Sequence, residues 1–425
     1  MKKTTFYFYA HFITMMALTF GMPSCNNNDS PTIDDDKNKE NPRKEITLSR
    51  TEQELANQCN DFAFRLLNTT NEALSQDEQI VLSPLSASFA LSMVANGANG
   101  NTLNEILTTL GFKDFSINDM NGYNQKLIEE LSELDKTSIL ETANSVWVDK
   151  SFSVLDSYPK VLKGTYQAEV KTADFSSATT REKINEWCSQ KTHGRIPNFI
   201  DNLDPTSKLV LLNALYFKGN WESPFPKENT QSDFFTTSTG EQKKVDFMQQ
   251  YPREYKFMTD EQIAMAELPY GNGAYTMTIV LPHENVSIDE WMKQLNTSYW
   301  ASLQSEMKAQ RLKIKLPKFQ IENKYLLTQT LKKMGISEAF MQEADFSNLS
   351  KDDLFISEIM QANYFCIDEQ GTEASAATGT NQIGIPGTNP TTIDFHANRP
   401  FLFILKERST GTILFLGKIN MPSFE

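Results

Sequence analysis

Cysteine and histidine are both scarce in this chain of 425 residues, which contains four of each. Three cysteines, Cys59, Cys188 and Cys366, are far apart and form no CxxC spacing, so the sequence predicts neither a zinc site nor a disulfide framework. Each of the three is expected to be a small buried hydrophobe. Cys188 and His193 stand close together in WCSQKTHGRI, but no nucleophile elbow or oxyanion sequence accompanies them, which argues against a thiol hydrolase. We expect no metal and no cofactor.

Positive charge is also in deficit. The chain has 40 Lys and Arg against 54 Asp and Glu, a formal net charge of −14. Nucleic-acid binding requires a concentrated Lys/Arg surface that contacts phosphates, so no nucleic-acid partner is expected. The acidic surface favours solubility. With 39% hydrophobic and 22% charged residues, the composition is that of a globular protein able to bury a large core.

The N-terminus has the pattern of a targeting segment. Lys2 and Lys3 precede a mostly apolar run over residues 6–22, and the sequence MPSC ends at Cys25. The run is too short and too mixed for a transmembrane helix. MPSC resembles a bacterial lipoprotein box, which predicts a signal peptide over residues 1–24 and a lipid on Cys25. The alternative is an ordinary signal peptide cleaved nearby.

A polar tract follows Cys25 and is predicted to be a disordered acidic tether over residues 25–48. The Asp run at 34–36 favours an outward-facing anchor, by similarity to surface lipoproteins of some Gram-negative bacteria. We therefore expect an outer-membrane or cell-surface lipoprotein, or otherwise a periplasmic or secreted protein. Contact with a membrane is expected only through the N-terminal lipid.

Residues 49–425 are predicted to form one α+β domain, because helical patterns come first, strand patterns follow, and no long linker divides them. Ser83 as N-cap and Pro84 as first helical residue predict a buried helix that ends at Gly97. A second helix is predicted to begin with a capping box formed by Thr102 and Glu105. Later segments such as AYTMTIVLP and TILFLGKIN have the alternation of strands.

Several segments resemble those of serpins and occur in the serpin order, among them IVLSPLSASFALSMVANGANGNTLNEILTTLGF, LVLLNALYFKGNWESPF, IDEQGTEASAAT and NRPFLFILKERSTGTILFLGKI. The resemblance covers nearly all of residues 49–425. It implies about nine helices around three β-sheets, an exposed reactive loop, and a monomer that is not an enzyme. It also implies inhibition of a target protease by suicide trapping, in which the cut loop inserts into the main sheet. A non-inhibitory serpin-like binding or structural surface protein is the alternative.

The resemblance places the hinge of the reactive loop in a segment of small residues. An inserting strand needs side chains that fit a crowded sheet and a backbone without proline, and residues 371–382 meet both demands. Alternation sends Thr372, Ala374 and Ala376 to the buried face and leaves Glu373 in water. The predicted hinge residues are Glu369, Gly371, Thr372, Glu373, Ala374, Ser375, Ala376, Ala377 and Thr378.

The scissile bond is left open among three positions. Family spacing places the residue before the cut at Ile385, but Pro386 follows, and a proline after the cut is poorly accepted. The candidate residues are Ile383, Gly384, Ile385, Pro386 and Thr388. No Lys or Arg occurs between Gly371 and Asn398. A protease whose specificity pocket contains a buried carboxylate would find no cation in this loop to pair with it. The loop therefore favours elastase-like, subtilisin-like or papain-like targets over trypsin-like ones.

Five further residues match serpin positions that control opening of the main sheet. Ser83 and Ser86 in SPLS and Asn213 in LNALYF match residues that hold the opening, although the serines can also serve in helix capping and packing. Trp221 matches the tryptophan where insertion begins. Gln361 stands where many serpins carry histidine, and since glutamine does not titrate, no pH-linked opening is expected through this position.

Overall fold

The computed structural model describes residues 41–75, 78–372 and 391–424, and this part of the chain contains nine α-helices. Two short 3₁₀ turns, Lys227–Asn229 and Glu338–Phe340, accompany them. The helices are α1 Arg50–Asn71, α2 Pro84–Gly97, α3 Gly100–Leu110, α4 Ile117–Leu131, α5 Ser157–Tyr166, α6 Ala178–Lys191, α7 Ile288–Met292, α8 Thr297–Glu306 and α9 Thr328–Lys333.

The strands of the described residues form two sheets. The larger has the order β1-β16-β15-β9-β8-β7-β10-β6-β5, with β14 beside β10; the smaller, here called the main sheet, has the order β11-β12-β4-β2-β3, with β13 against β4. The larger sheet consists of β1 Ile80–Leu82, β5 Gln231–Thr236, β6 Gln242–Gln249, β7 Arg253–Thr259, β8 Ile263–Tyr270, β9 Tyr275–Pro282, β10 Lys308–Pro317, β14 Ile393–His396, β15 Phe401–Glu407 and β16 Ile413–Ile419. The main sheet consists of β2 Ser138–Asp149, β3 Glu169–Ala173, β4 Leu209–Asn220, β11 Phe319–Leu326, β12 Glu358–Ile367 and β13 Gly371–Thr372.

The expected three sheets correspond to the main sheet and two ladders that share β10. Residues 308–312 of β10 pair with β7, whereas residues 315–317 pair with β6 and residues 312–315 run parallel to β14. Because one strand belongs to both ladders, hydrogen bonding joins them into the larger sheet. The α+β class is confirmed, and six of the nine helices of the described residues precede β4, although β1, β2 and β3 alternate with them.

The helix predicted at Pro84 is α2, and it is buried along its length except at Asn96. Its first residue is Pro84 and its last is Gly97, as predicted. Ser83 is the N-cap residue, as predicted, but its side chain makes no capping hydrogen bond, because the hydroxyl donates instead to the carbonyl of Leu414 in β16 at 2.9 Å. The side chain thus fixes α2 to the larger sheet.

The predicted capping box at the start of α3 is wrong. The N-cap is Asn99, and the Thr102 hydroxyl donates to the Glu338 carboxylate at 2.6 Å. Glu105 in turn accepts from the backbone N–H of Glu338 at 2.8 Å. Both side chains therefore bind a distant segment instead of their own helix terminus.

Two apolar clusters cover the two faces of the main sheet. The larger lies among the helices, the larger sheet and the inner face of the main sheet. The smaller, here called the outer cluster, lies between the other face and α6 with its following segment. The outer cluster consists of Ala143, Trp147, Phe175, Ile184, Trp187, Cys188, Ile196, Phe199, Ile200, Val210, Leu212, Ala214 and Ala362. A strand added to this sheet therefore meets packed side chains on both faces wherever the outer cluster covers the sheet.

The N-terminal boundary of the ordered domain differs from the expectation. Residues 41–48, predicted as part of a disordered tether, lie against the domain, and Ile46 is only 4% exposed. The backbone N–H of Ile46 donates to the Ser409 hydroxyl at 2.9 Å, and Lys126 donates to the carbonyl of Thr47 at 2.6 Å. The polar composition predicted disorder here because only one residue of the segment, an isoleucine, is buried. Cys25 and residues 1–40 lie outside the described part.

Candidate functional site

The seam between β12 and β4 is only partly closed by hydrogen bonds. At one end, residues 358–361 run parallel to and pair with residues 210–213. At the other end, β13 pairs antiparallel with β4, so that Gly371 faces Asn220 and Thr372 faces Gly219. Between these ends, the described residues 362–367 and 214–218 form no ladder with each other. The seam thus holds the first two residues of an extra strand, followed by a stretch in which β12 and β4 are not paired with each other.

Thr372 is already inside the main sheet. The residue is only 1% exposed, and its hydroxyl lies 2.8 Å from the hydroxyl of Tyr270. The prediction that Thr372 takes a buried face agrees with this placement. The structure adds that the burial precedes any cleavage of the loop.

Gly371 occupies a position that no other residue fits. Its φ is +150°, and an added Cβ would lie 2.1 Å from the carbonyl oxygen of Gly219 and 2.8 Å from the Cα of Asn220. Distances this short are physical overlap, so a side chain here would force β13 away from β4. The hinge glycine is required by the closeness of the two backbones.

A tight turn aims the chain from β12 back into the seam. The Asp368 carboxylate accepts from the backbone N–H groups of Gln370 at 2.8 Å and Gly371 at 3.2 Å. The Asp368 N–H donates to the carbonyl of Gly371 at 2.9 Å, which closes the turn. Since aspartate side chains readily bond the backbone two residues on, the turn is encoded locally.

Trp221 fixes the end of the seam where β13 begins. Its backbone N–H donates to the carbonyl of Gln370 at 2.7 Å, and its indole N–H donates to the carbonyl of Asp368 at 3.0 Å. The indole stacks on Tyr270 with ring centroids 4.3 Å apart. Trp221 therefore lies where the resemblance places it, beside the start of the inserted strand.

Glu369 ties the same turn to residues that flank β5 and β10 of the larger sheet, in part through an ion pair. Its carboxylate accepts from the Thr230 hydroxyl at 2.8 Å and lies 3.2 Å from the Lys318 ammonium. Burial acts to raise the pKa of Glu369, but the hydrogen bonds from Thr230 and Lys318 and the ammonium charge outweigh it, so the pKa lies below its ordinary value. The carboxylate stays ionised and holds the hinge.

The residues expected to hold the closed end of the seam separate into two groups. In the first, Gln361 donates to the carbonyl of Ser83 at 2.7 Å and accepts from the Ser83 N–H at 3.1 Å. Asn363 adds a bond to the carbonyl of Val81 at 2.9 Å. These contacts join β12 to the start of α2.

In the second group, Asn213 bonds to Asn144 of β2, and Asn144 donates to the carbonyl of Tyr166 at 3.2 Å. Asn213 and Gln361 are register partners across the seam, yet the described residues show no side-chain bond between them. Ser86 is fully buried in α2, and neither its hydroxyl nor the side-chain oxygen Oδ1 of Asn213 has a hydrogen-bond partner in the described part. Side-chain hydrogen bonds thus run along each side of the seam.

Sequence reasoning missed five residues that build this site. Tyr270, Thr230 and Lys318 surround the hinge, and Asn144 and Asn363 complete the two groups at the closed end. Each acts across a long sequence separation, so no local pattern marks it. The remaining predicted residues lie outside the described part: Glu373, Ala374, Ser375, Ala376, Ala377, Thr378, Ile383, Gly384, Ile385, Pro386, Thr388 and Cys25.

The thiol and histidine considered for hydrolysis are not suited to it. Burial raises the pKa of the Cys188 thiol to about 12, and that of Cys59 to about 11. His193 instead lies 2.9 Å from the Glu141 carboxylate and against the ring of Tyr216. In residues 41–75, 78–372 and 391–424, no group of three His, Cys, Asp or Glu side chains could hold a metal ion. Across the same ranges, no helix has the length and apolar character needed to cross a bilayer.

Comparison with known proteins agrees with this geometry. The family model described as serpin (serine protease inhibitor) matches residues 57–422. Iripin-2 of Ixodes ricinus is 32% identical over 383 residues, which cover 88% of this chain and 95% of that protein.

Two solved structures have similar folds. The thermophilic serpin tengpin in its native state is 30% identical, with a TM-score of 0.81 and coverage of 89% of this chain and 96% of tengpin. Human thyroxine-binding globulin complexed with thyroxine is 29% identical, also with a TM-score of 0.81, and 88% of this chain covers 100% of it.

Proposed function

The chain belongs to the serpin family, and from that premise we propose that it inhibits proteases by suicide trapping. The observation that carries the proposal is β13, which is paired with β4 before any cut and is followed by an unpaired stretch of the seam. A protease cuts the reactive loop and remains attached as an acyl-enzyme. The freed strand then extends β13 through the seam and carries the protease with it.

The energetics of insertion support this mechanism. About ten newly paired residues at about 1 kcal/mol each give a gain on the order of 10 kcal/mol, comparable with the stability of a whole domain. The uncut protein is then a kinetically trapped state and not the free-energy minimum. Because β13 and the Asp368 turn are already formed, insertion starts from a nucleus and needs no search for register.

The proposed targets follow from the composition of the loop. Between Gly371 and Asn398 no Lys or Arg is present to pair with the carboxylate of a trypsin-like pocket. We infer that the partner is an elastase-like, subtilisin-like or papain-like protease. The cut lies within residues 383–389, which the described part does not include.

The alternative function is that of a non-inhibitory binding or structural protein. The fold similarity to thyroxine-binding globulin keeps this alternative open, since that protein is described as a complex with thyroxine. The hinge favours inhibition, because Gly371 and Thr372 are small enough to enter the sheet and have already entered it. A hydrolase is disfavoured by the raised pKa of the buried Cys188 thiol.

We also propose the location of the protein from its N-terminus. Residues 1–24 act as a lipoprotein signal peptide, Cys25 carries the lipid, and the serpin domain, as a monomer, is held at the outer membrane or cell surface. Replacement of Cys25 by Ser should move the protein from the membrane fraction to the soluble fraction. Unchanged fractionation would contradict the anchor and leave a periplasmic or secreted protein.

The decisive test of inhibition is a gel. The mature protein is mixed in turn with a pancreatic elastase, a subtilisin, papain and trypsin, and samples are boiled in detergent. We expect a covalent complex with at least one of the first three and only cleavage or no reaction with trypsin. Cleavage by all four without any complex would favour the non-inhibitory alternative, and rapid stoichiometric trapping of trypsin would contradict the proposed specificity.

A further inference from the structure

The sequence contains four Asn-Gly pairs, at residues 96–97, 99–100, 121–122 and 272–273. The backbone nitrogen of the residue that follows an asparagine can attack the asparagine carboxamide, and glycine hinders this approach least because it has no Cβ. The attack needs an N–H group that is free to lose its proton and a carboxamide that is free to turn toward it. The fold decides which of the four pairs meets these two conditions.

Two of the pairs lie inside helices, and their carboxamides bind each other. Asn96 is in the last turn of α2, and Asn121 is in α4. The Asn96 carboxamide donates to the carbonyl of Ser92 at 2.8 Å and to Asn121 at 2.9 Å, and the Asn121 carboxamide donates back at 2.8 Å. The Tyr166 hydroxyl donates to Asn121 at 2.6 Å. Both carboxamides are thus held in place, and the N–H groups that follow them belong to helical hydrogen-bond ladders.

A third pair, Asn272 and Gly273, lies in the turn between β8 and β9. The Asn272 carboxamide donates to the carbonyl of Leu134 at 2.8 Å and accepts from the N–H of Ala274 at 3.0 Å. The Gly273 N–H donates to the carbonyl of Tyr270 at 2.6 Å. In this pair the attacking N–H and the carboxamide are therefore both already bound.

Asn99 and Gly100, at the junction of α2 and α3, meet both conditions. Asn99 is exposed, and within the described ranges its carboxamide has a single hydrogen bond, to the Ser347 hydroxyl at 3.4 Å. Its backbone is extended, with φ −145° and ψ 174°, so no helical hydrogen bond has to break before it turns. As the first residue of α3, Gly100 has no partner for its N–H among the described residues. The φ of Gly100 is +53°, which favours glycine at this position.

We propose that Asn99 is a site of spontaneous modification, at which the Gly100 nitrogen attacks the carboxamide carbon of Asn99. A C–N bond forms and closes a succinimide ring, while the proton of the Gly100 N–H passes to the carboxamide nitrogen, which departs as ammonia. One water molecule then opens the ring at either of its two carbonyl carbons, which yields aspartate or isoaspartate at position 99. Water is the only co-reactant. This inference goes beyond the proposed inhibition and does not depend on it.

The product would alter the junction between the two helices. The Asn99 N–H donates to the carbonyl of Asp345 at 2.9 Å, and the Asn99 carbonyl accepts from the Leu103 N–H at 3.1 Å. Isoaspartate lengthens the main chain between these two groups by one methylene, so the two bonds cannot both keep their geometry. The Asn348 carboxamide, which donates to the carbonyl of Ala98 at 2.9 Å, depends on the same junction. The modification therefore acts on the contact between this junction and the segment that leads to β12.

Peptide mapping of the mature protein after prolonged incubation, once native and once unfolded in urea, tests the proposal. Mass spectrometry identifies each modified pair by the replacement of NH by O. In the native protein we expect position 99 to react on the order of tenfold faster than each of the other three pairs, because those must first open locally. In urea all four pairs should react at similar rates, because no fold holds them. If native Asn99 reacts no faster than the other pairs, the proposal is wrong. Aspartate without isoaspartate would also overturn it, since direct hydrolysis forms no ring.

Two variants provide a second readout, based on charge. Each conversion adds one negative charge, so wild type should accumulate an acidic form on isoelectric focusing. Asn99→Ser removes the carboxamide but keeps a residue that caps helices, and it should not accumulate this form. Asn101→Ser, at an exposed asparagine of the same helix that no glycine follows, should age like wild type. Equal accumulation in all three proteins would overturn the assignment to Asn99. These measurements do not involve a protease, so they stand apart from any failure of the proposed inhibition.

Discussion

Glu369 is a carboxylate in a side chain only 7% exposed, and its charge is balanced by Lys318 at 3.2 Å. Its pKa is lowered, so the ionised form stabilises the fold fully above the unfolded-state pKa of about 4.3, and this stabilisation is lost as pH falls through the folded-state pKa. We expect Glu369→Gln to be less stable than wild type by about 1–3 kcal/mol at pH 7. The difference should shrink as pH falls below about 4.3.

Urea unfolding at pH 7 and pH 3 measures this difference. Glu343→Gln is the matched control, because its side chain is exposed and has no part in the hinge. It should unfold like wild type at both pH values. A Glu369→Gln deficit that is equally large at pH 3 would show that packing, and not charge, accounts for the role of Glu369.

At the scale of elements, β13 is the strand on which the proposed trap depends. In Thr372→Arg, a charged side chain would replace a hydroxyl that is buried against Tyr270. Burying an unpaired charge costs several kcal/mol, so in this variant β13 should leave the seam. A barrier higher by about 3 kcal/mol slows insertion more than a hundredfold, and hydrolysis of the acyl-enzyme then prevails. Thr372→Arg should therefore be cleaved as a substrate and release active protease.

Two further variants sharpen this prediction. Gly371→Ala should also yield a substrate, because its methyl group overlaps the Gly219 carbonyl without adding charge. Glu373→Gln should still trap protease, since alternation directs its side chain to the opposite face. The molar ratio of inhibitor to protease at full inhibition separates the outcomes. If all three variants inhibit at the wild-type ratio, strand insertion is not the mechanism.

Helix ends and long-range side-chain bonds differ in how well the sequence predicts them. Pro84 and Gly97 marked both ends of α2 because helix termini have local rules. The strand that enters a sheet was predicted by the serpin resemblance, with which the small hinge residues are compatible. Neither the Ser83 hydroxyl nor the Thr102 hydroxyl makes the bond expected of a cap, because both bond to residues more than two hundred positions away. Asn213 and Gln361 belong to separate hydrogen-bonded groups for the same reason: Asn213 bonds to Asn144 of β2, and Gln361 bonds to Ser83 at the start of α2.

At the scale of the whole molecule, the proposal predicts a stability that rises when the chain is cut. Cleavage of the loop by a protease that is not trapped should allow β13 to extend, with a gain on the order of 10 kcal/mol. For a protein of this size, the melting temperature should rise on the order of 20 °C. Calorimetry of intact and cut protein measures the shift. A cut protein that melts at or below the intact one would mean that the loop stays outside the sheet.

The register of β13 against β4 has a further consequence for the order of residue types along the loop. Continued without a shift, the pairing of Thr372 with Gly219 would put Glu373 opposite Lys218 and Ser375 opposite Tyr216. On this outer face Lys218 is partly exposed, whereas Tyr216 is buried. Deeper residues of the same face, such as Ala214, lie beneath α6 in the outer cluster. Solvent thus recedes with depth, and in the sequence the charge comes first, while serine, alanine and glycine follow where a charge would have no water and no counterion.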